Sequence, residues 1–384
     1  MKKWHLYLFI TVIFLGSFYY INTKYDRFYR VQGINNDNRI LIETYLDEEQ
    51  QDYLIENRIP VSEFIDYIKV DGFDIQNCDY YNLLRDAHSY KKMSTIVKNG
   101  NKLKEKATAD FNGDAFEVAT ELTELKLESG YINKAEFNYD YIEFYTLLKP
   151  LFKKNKYVGK TEEYLKTLTD QGITEQKAQL DFINKAVAKY DKSGFKQLMK
   201  MGSSTMRLIA DPTEPTVVVN DQSYISNYEP ENLTLLSVVK RYKYAMYCTD
   251  ETYDALVKML KAMGRDMAEK VIVAEAYISY NETKITHKKK AGHLETQLGT
   301  TLDFTQLNYS YYQFEDTKLN SWLQKNAYKY GFVLRYPKNK ASYTGKTYDP
   351  HIYRYVGEEA AKQIHNSSLS IEEYNLIERN EDEQ

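Results

Sequence analysis

Few residues of this chain stand at a spacing that would support a known chemistry by itself. The two cysteines, Cys78 and Cys248, lie far apart and form no C-x-x-C pair, which predicts neither a cysteine zinc site nor a disulfide framework. No serine stands in a G-x-S-x-G nucleophile elbow, and the chain contains no P-loop and no G-x-G-x-x-G motif. The sequence therefore predicts neither a hydrolase built on that elbow nor a nucleotide site built on those loops.

The C-terminal third carries five ordered stretches of recognisable sequence. They are Val217–Asn220 with Tyr228–Leu233, Ala276–Tyr280, Ala291–Asp303, Trp322–Pro337 and Tyr348–Gly357. The third begins AGHLETQLG, the fourth ends YGFVLRYP, and the fifth reads YDPHIYRYVG. These stretches resemble, in order, the motifs of the VanY-type zinc D-Ala-D-Ala carboxypeptidases of bacterial cell-wall metabolism, which read PG(H/Y)SEHQxG at the third place and YEPWHLRYVG at the fifth. The resemblance implies an α+β domain with a small antiparallel sheet and helices.

The resemblance also implies five functional positions, most of which have lost the family residue. The zinc ligands of the family, His, Asp and His, fall on Thr296, Asp303 and Ile352. The general base falls on Asp349, and the arginine that holds the substrate carboxylate falls on Ile278. A neutral hydroxyl is a poor zinc ligand, and isoleucine offers neither a lone pair nor a charge. We therefore expect no bound zinc and no substrate clamp, with Asp303 and Asp349 as vestiges of the site.

A shifted metal site is the alternative. His293 precedes the first ligand position by three residues and His351 precedes the third by one, so His293, Asp303 and His351 could bind a metal. The chain would then be an active metallo-carboxypeptidase that trims peptidoglycan stem peptides. A shift of one residue in a strand turns the side chain to the opposite face, which argues against His351. Both histidines are also compatible with an ordinary hydrogen-bonding role.

The N-terminal segment predicts attachment to a membrane. Lys2 and Lys3 precede an apolar run over residues 6–21, which Trp4 and Tyr19 flank as interfacial anchors. Neither a small-x-small cleavage site nor a lipobox cysteine follows, which favours an uncleaved signal anchor at 1–21 over a cleaved signal peptide. The lysines before the run predict a single-pass protein of the cell membrane with its C-terminal domains outside the cell.

The residue pattern divides the remaining chain into a helical part and a part with both helices and strands. Residues 22–37 predict a linker, and 38–210 predict an all-α region, either a short helical-repeat module or an irregular bundle. The proline cluster at 211–215 opens the α+β domain, 211–375, and an acidic tail follows at 376–384. Within the domain, the pattern predicts strands at 217–220, 270–280, 302–304, 332–336 and 353–356, and helices at 251–267 and 320–330.

Composition narrows the partners without identifying them. The formal net charge is -4, so bulk electrostatics give no case for nucleic acid. The 37 tyrosines indicate either AT-rich coding bias or extensive contact surfaces. We expect a catalytically inactive, membrane-anchored carboxypeptidase-like protein of a Gram-positive bacterium. Its expected partners are the cytoplasmic membrane and a cell-wall peptide or envelope protein, which it would bind or regulate in wall metabolism.

Overall fold

The computed structural model describes residues 3–87, 90–133, 137–152, 154–202 and 205–382. The chain divides into two compact units. The first comprises Met1–Thr146 with Lys153–Gly159, and the second comprises Leu147–Phe152 with Lys160–Gln384. The helices over 160–202 therefore form part of the same compact unit as the predicted α+β domain.

The chain up to residue 148 is helical in all its regular elements within the described part, as the sequence predicts. These helices are α1 (Lys3–Tyr25), α2 (Asn36–Tyr45), α3 (Glu48–Asn57), α4 (Val61–Phe64), α5 (Cys78–Asp86), α6 (Met93–Asp110), α7 (Ala115–Glu124), α8 (Glu128–Asn133) and α9 (Ile142–Leu148). Short polar side chains fix two of the helix starts. Asn35 accepts from the backbone N–H of Asn38 at 2.8 Å, and Asp47 accepts from that of Gln50 at 2.9 Å.

Helix α1 differs from the others because its apolar side chains are exposed. The span Lys3–Ile21 has 19 residues and a mean hydropathy of 1.5, and none of it is buried against the rest of the chain. Its length and composition are those of a membrane span or of a signal sequence.

The second unit combines helices with a five-stranded sheet. Its helices are α10 (Val158–Asp170), α11 (Gln176–Lys189), α12 (Lys192–Met201), α13 (Asp250–Met263), α14 (Arg265–Ala268), α15 (Tyr280–Thr286), α16 (Lys318–Asn326), α17 (Ala341–Thr344), α18 (Glu358–Asn366) and α19 (Ile371–Asp382). Its strands are β1 (Arg207–Leu208), β2 (Ser223–Tyr224), β3 (Leu233–Leu235), β4 (Lys240–Arg241), β5 (Tyr247–Thr249), β6 (Val271–Glu275), β7 (Thr301–Gln306), β8 (Phe332–Tyr336) and β9 (Asp349–Tyr355).

The main sheet has the strand order β4-β6-β7-β9-β8 and is antiparallel except for the β4/β6 pair. One face of it packs on α13 and α16, where Leu256, Phe304, Leu323 and Phe332 are fully or almost fully buried. The predicted α+β fold is confirmed. Burial of these large apolar side chains supplies most of the driving force, because each contributes about 1.5–3 kcal/mol.

Several predicted elements of this unit need correction. Val217–Val219 are buried but form no strand, because the N–H of Val219 bonds the Glu295 side chain at 3.4 Å instead of a neighbouring strand. The strand predicted at 270–280 ends at Glu275, since the N–H of Tyr277 bonds the Tyr247 carbonyl on β5 and that of Ile278 bonds the Thr296 carbonyl in a 3-10 turn. The predicted acidic tail at 376–384 is part of α19 as far as Asp382, and residues 383–384 lie outside the described part of the chain.

Other predicted elements are found close to their expected positions. Thr249 caps α13, accepting from the N–H of Thr252, and Gly264 with a φ of +79° separates α13 from α14 inside the predicted helix 251–267. Helix α16 continues as a 3-10 turn to Tyr330, and Gly331 ends it with a φ of +84°. The run of β-branched residues at 217–219 correctly predicts burial. It does not predict a strand correctly, because a strand also needs a pairing partner, which the local sequence does not specify.

A buried group of four charges links the sheet to the turn before β7 and to α19. Arg335 donates from Nε to Glu295 Oε2 at 2.6 Å and from both Nη atoms to Glu372, at 2.7 and 3.2 Å. Arg354 Nη1 lies 3.8 Å from the same Glu295 oxygen. Burial alone would raise the pKa of Glu295, but the two guanidinium groups outweigh it and hold that pKa below its ordinary value.

Removal of the central arginine should be costly. We expect Arg335→Met to lower the free energy of unfolding by about 3–5 kcal/mol, because it leaves Glu295 buried without its main partner. The matched control is Arg265→Met, whose ion pair with Glu269 is exposed and should cost less than about 1 kcal/mol. Urea unfolding of the full chain in detergent measures both, and equal losses would contradict the central role given to Arg335.

Candidate functional site

A cleft of about 580 Å³ lies beside the main sheet, where residues of β6, β7 and β9 border it. It is bordered by four of the five positions that the sequence singled out, namely Thr296, Asp303, Asp349 and Ile352. The fifth position, Ile278, is half-buried and is not among the lining residues, although its backbone N–H donates to the Thr296 carbonyl at 3.3 Å. The fold therefore brings the predicted positions together around one open space.

The 3-10 turn Glu295–Leu298 holds Thr296 at the edge of this cleft. Glu295 is fixed by the buried arginines, and Gln297 donates from Nε2 to the carbonyl groups of Ser226 and Tyr228 at 2.9 and 2.8 Å. The turn is thus anchored on both sides of Thr296. The Thr296 hydroxyl oxygen is itself buried and has no hydrogen-bond partner among the described residues.

Three neighbouring strands place a row of side chains across the floor of the cleft. Asp303 on β7 is paired with Ile352 on β9 and, across a bulge, with Glu275 on β6. Directly opposite residues of an antiparallel pair lie on the same face. Asp349 on β9 lies opposite Tyr336 on β8, and the pairing of these two strands shifts register between Leu334 and Tyr336. The row therefore presents three carboxylates and one apolar side chain where the sequence resemblance implied a metal site.

Asp303 is held from one side by an aromatic stack. Tyr311 donates its hydroxyl to Asp303 Oδ2 at 3.0 Å, and its ring stacks on that of His351 at 3.6 Å between centroids. His351 is buried, with Nδ1 hydrogen-bonded to the Phe304 carbonyl oxygen at 2.7 Å and 3.9 Å from Asp303 Oδ1. Asp303 Oδ1 has no hydrogen-bond partner among the described residues.

The surroundings of Asp303 favour its protonated form. Burial raises its pKa to about 7, the hydrogen bond from Tyr311 opposes that change, and the charges of Asp349 and Glu275 reinforce it. Burial also raises the pKa of Glu275, which Lys243 partly offsets. The cleft therefore crowds carboxylates with little compensating positive charge.

The structure does not assemble the alternative site of His293, Asp303 and His351. The ring of His293 is buried against Tyr224, its Nδ1 lies 2.8 Å from the Ser223 carbonyl oxygen, and the residue does not line the cleft. Within the described ranges, no group of three or more His, Cys, Asp or Glu side chains is placed to hold a metal ion. Each histidine uses a ring nitrogen on a backbone carbonyl, the ordinary structural role.

Three residues at or beside the cleft are not predicted as site residues from the sequence. Glu275 reaches the cleft because it is in register with Asp303, a pairing that strand alternation alone could have suggested. Lys346 borders the cleft from the loop before β9. Tyr311 comes from a separate 3-10 turn, and no local signal marked it as a partner of Asp303.

The raised pKa of Asp303 predicts a specific pH dependence of stability. The folded chain keeps a proton on Asp303 up to about pH 7, whereas the unfolded chain releases it near the ordinary value of 3.8. The stability linked to that proton is full below about pH 4 and is lost as the pH rises through 7. Asp303→Asn should therefore stabilise the chain relative to wild type at pH 8, by on the order of 2–4 kcal/mol at most, and change little at pH 4.

The comparison is urea unfolding of the chain as purified, without chelator, at both pH values. Asp266→Asn, an exposed carboxylate on α14, is the matched control and should show no pH-dependent gain. Destabilisation by Asp303→Asn at pH 8 would mean that the carboxylate serves as an ionised ligand, contrary to the geometry above.

Comparison with known proteins places these observations in a family. A family model described as VanY, D-alanyl-D-alanine carboxypeptidase, matches residues 269–358. The putative carboxypeptidase YodJ of Bacillus subtilis strain 168 is 34% identical over 191 residues, which are 44% of this chain and 70% of that protein. A D-alanyl-D-alanine carboxypeptidase of Enterococcus faecalis is 34% identical over 124 residues, 32% of this chain and 41% of that protein.

Solved structures of the same group also match. The LdcB LD-carboxypeptidase, whose structure is described in terms of peptidoglycan recognition, has 32% identity, covers 44% of this chain and 89% of its own, and gives a TM-score of 0.39. A VanY D,D-pentapeptidase mutant in complex with Zn(II) has 25% identity, covers 42% of this chain and 98% of its own, and gives a TM-score of 0.35.

The family model spans the cleft from β6 to the end of β9, and the Bacillus relative is matched over more than two thirds of its length. The chain therefore belongs to the VanY D-alanyl-D-alanine carboxypeptidase family.

Proposed function

We propose that this chain is a non-catalytic member of its family, a module that binds cell-wall peptide without cutting it. The proposal rests chiefly on one observation. The cleft stays open at about 580 Å³, but the positions around it no longer carry a zinc-binding set. A cavity of this size is within the ~300–1,000 Å³ typical of ligand sites.

The donor chemistry around the cleft does not fit a catalytic zinc. Such a site takes about three nitrogen, sulfur or carboxylate ligands and one open position. Thr296 contributes a neutral hydroxyl and Ile352 contributes nothing, which leaves Asp303 as the one ligand retained at the three positions. Asp303 is also bonded to Tyr311 and crowded by Asp349, an arrangement that suits a neutral carboxyl group.

The loss of positive charge should change which end of a peptide the cleft prefers. A zinc ion and an arginine would together attract the carboxylate end of a substrate, and here the arginine position is Ile278. The carboxylates of Glu275 and Asp349 face a cleft whose lining includes a single lysine, Lys346, and the protonated Asp303 adds no positive charge to it. We infer that the cleft favours a wall peptide through its side-chain ammonium group, because an entering carboxylate would be repelled.

The scaffold of the cleft is consistent with retained binding. Glu295 and Gln297 keep the turn around Thr296 in place through bonds that involve neither metal nor substrate. The cleft can therefore persist after the catalytic groups are gone. A preformed cleft binds a ligand without a cost of ordering its own walls.

Membrane attachment completes the proposal. Helix α1 would act as an uncleaved signal anchor, with the lysines at its start inside the cell and the chain that follows it outside. A tether of this kind would present the helical region and the carboxypeptidase-like domain to the cell wall or to envelope proteins. A regulatory or scaffolding role in wall metabolism follows from that placement.

Binding without cleavage is directly measurable. The full chain in detergent micelles, mixed with lysine-type pentapeptide muropeptides, should bind them and release no D-alanine. Asp349→Asn, which removes one cleft carboxylate, should weaken binding about two- to fivefold, the range expected for a partly exposed ion pair. Asp266→Asn removes an exposed carboxylate outside the cleft and should leave binding unchanged.

Calorimetry gives the affinity, and mass spectrometry of the muropeptides gives the cleavage. Release of D-alanine that disappears on adding a chelator would overturn the proposal. Absence of both binding and cleavage would also overturn it, because the cleft would then have no role with wall peptide.

A further inference from the structure

Two exposed segments of the second unit are rich in basic side chains, and neither segment lines the cleft. The first is the loop over residues 240–245, which reads KRYKYA, and the second is the stretch over residues 284–290, which reads KITHKKK. An ion pair brings them side by side, because Lys243 Nζ lies 3.6 Å from Glu282 Oε1 on α15, just before the second segment. We call the two segments together the basic surface.

Carboxylates neutralise only part of the charge of the basic surface. Glu282 faces Lys243, and Asp221 Oδ1 lies 2.5 Å from Lys290 Nζ. The remaining cations contact backbone carbonyl groups, a tyrosine ring or solvent in the described structure, and they are Lys240, Arg241, Lys284, Lys288 and Lys289. The basic surface is therefore net positive, although the chain as a whole has a formal net charge of -4.

Large apolar side chains are exposed among these cations. Tyr244 is 95% exposed, Ile285 is 85% exposed, and Tyr242 is 60% exposed. Ile285 follows Glu282 by three residues on α15, so it lies on the side of the helix that faces Lys243. Apolar side chains that are exposed together mark an interaction surface.

The mixture of charge and apolar side chains distinguishes between anionic partners. A soluble polyanion such as polyphosphate would pair with the lysines but would leave Tyr244 and Ile285 in water. A bilayer that contains anionic lipid meets both requirements. Its headgroups attract lysine, and its boundary between headgroups and acyl chains takes up tyrosine and isoleucine.

We propose that the basic surface docks on an anionic lipid bilayer. Tyr242, Tyr244 and Ile285 enter the boundary layer, and Lys288 and Lys289 lie among the anionic headgroups. This contact is separate from the span proposed for α1 and from peptide binding at the cleft. It restricts the orientation that the second unit takes on the membrane.

The test uses the full chain in lipid nanodiscs, with an environment-sensitive fluorophore at Ala245→Cys, an exposed position next to Tyr244. Cys78 and Cys248 are buried, so the introduced thiol is labelled selectively. The discs contain phosphatidylcholine alone or phosphatidylcholine mixed with phosphatidylglycerol, and a nitroxide on the acyl chains quenches a label that enters the bilayer. Docking is read from the label, so attachment of the chain through α1 does not produce the signal.

The label should be quenched strongly in the anionic discs and weakly in phosphatidylcholine. High salt should reverse the quenching, because it screens charges at the surface. Lys288→Gln combined with Lys289→Gln should lower the ratio of docked to free label about fivefold for each lysine, which corresponds to about 1 kcal/mol per cation near an anionic surface. Tyr244→Ser should lower that ratio as well and leave its salt dependence unchanged.

Lys362→Gln is the matched control. Lys362 is an exposed lysine on α18, which packs beside β8 at the edge of the sheet opposite β4. This variant should leave the quenching unchanged, and the same fluorophore at Lys362→Cys should stay unquenched. Thermal unfolding of each variant confirms that it is folded.

Equal quenching in the two lipid compositions, or no quenching in either, would overturn the proposal. So would an effect of Lys362→Gln as large as that of the double variant at Lys288 and Lys289. Calorimetry with soluble polyphosphate in detergent gives a further arm. Binding that the double variant loses, together with an unquenched label in discs, would replace the bilayer by a soluble polyanion and contradict the proposal.

Muropeptide binding at the cleft should be the same in wild type and in the double variant. A failure of the basic surface is thereby distinguished from a failure of the cleft.

Discussion

Much of the C-terminal unit depends on the burial of two guanidinium groups around one carboxylate. Glu295 accepts from Arg335 at 2.6 Å and faces Arg354 at 3.8 Å, and Arg335 continues to Glu372 on α19. Buried charges are tolerated only when they are paired and well hydrogen-bonded, so strands β8 and β9, the turn before β7 and the last helix must keep their relative places. The same constraint shapes the cleft, because Glu295 lines it.

This dependence would let the fold survive the loss of catalytic chemistry that we propose. The paired charges and the Gln297 bonds hold the turn that borders the cleft, and none of these bonds involves a side chain that the family uses for metal or substrate. In the proposed account, Ile352 stands in place of a metal ligand and Ile278 in place of the substrate clamp, and neither leaves a buried charge unpaired. The cleft is lined by Glu275, Asp303 and Asp349 and by one lysine, Lys346.

The sequence predicted the family fold and the cleft positions because the motifs are contiguous and their order is fixed. Asp303, Ile352 and Thr296 could be named before any coordinates, and they do meet at one cavity. Tyr311 could not be foreseen as a partner of Asp303, because that contact joins a turn to a strand. The buried run beginning at Val217 predicts a strand that the structure does not contain, because the pattern of apolar residues indicates burial but not whether a pairing partner is present.

The central claim is that the family metal site is lost, and the zinc content of the purified full chain tests it most directly. Metal analysis after purification without chelator should give far less than one zinc per wild-type chain, and His293→Ala and His351→Ala should change nothing. Thr296→His combined with Ile352→His restores the ligand set with Asp303 and should raise the content toward one zinc. One zinc per wild-type chain, lost on Asp303→Ala, would contradict the account.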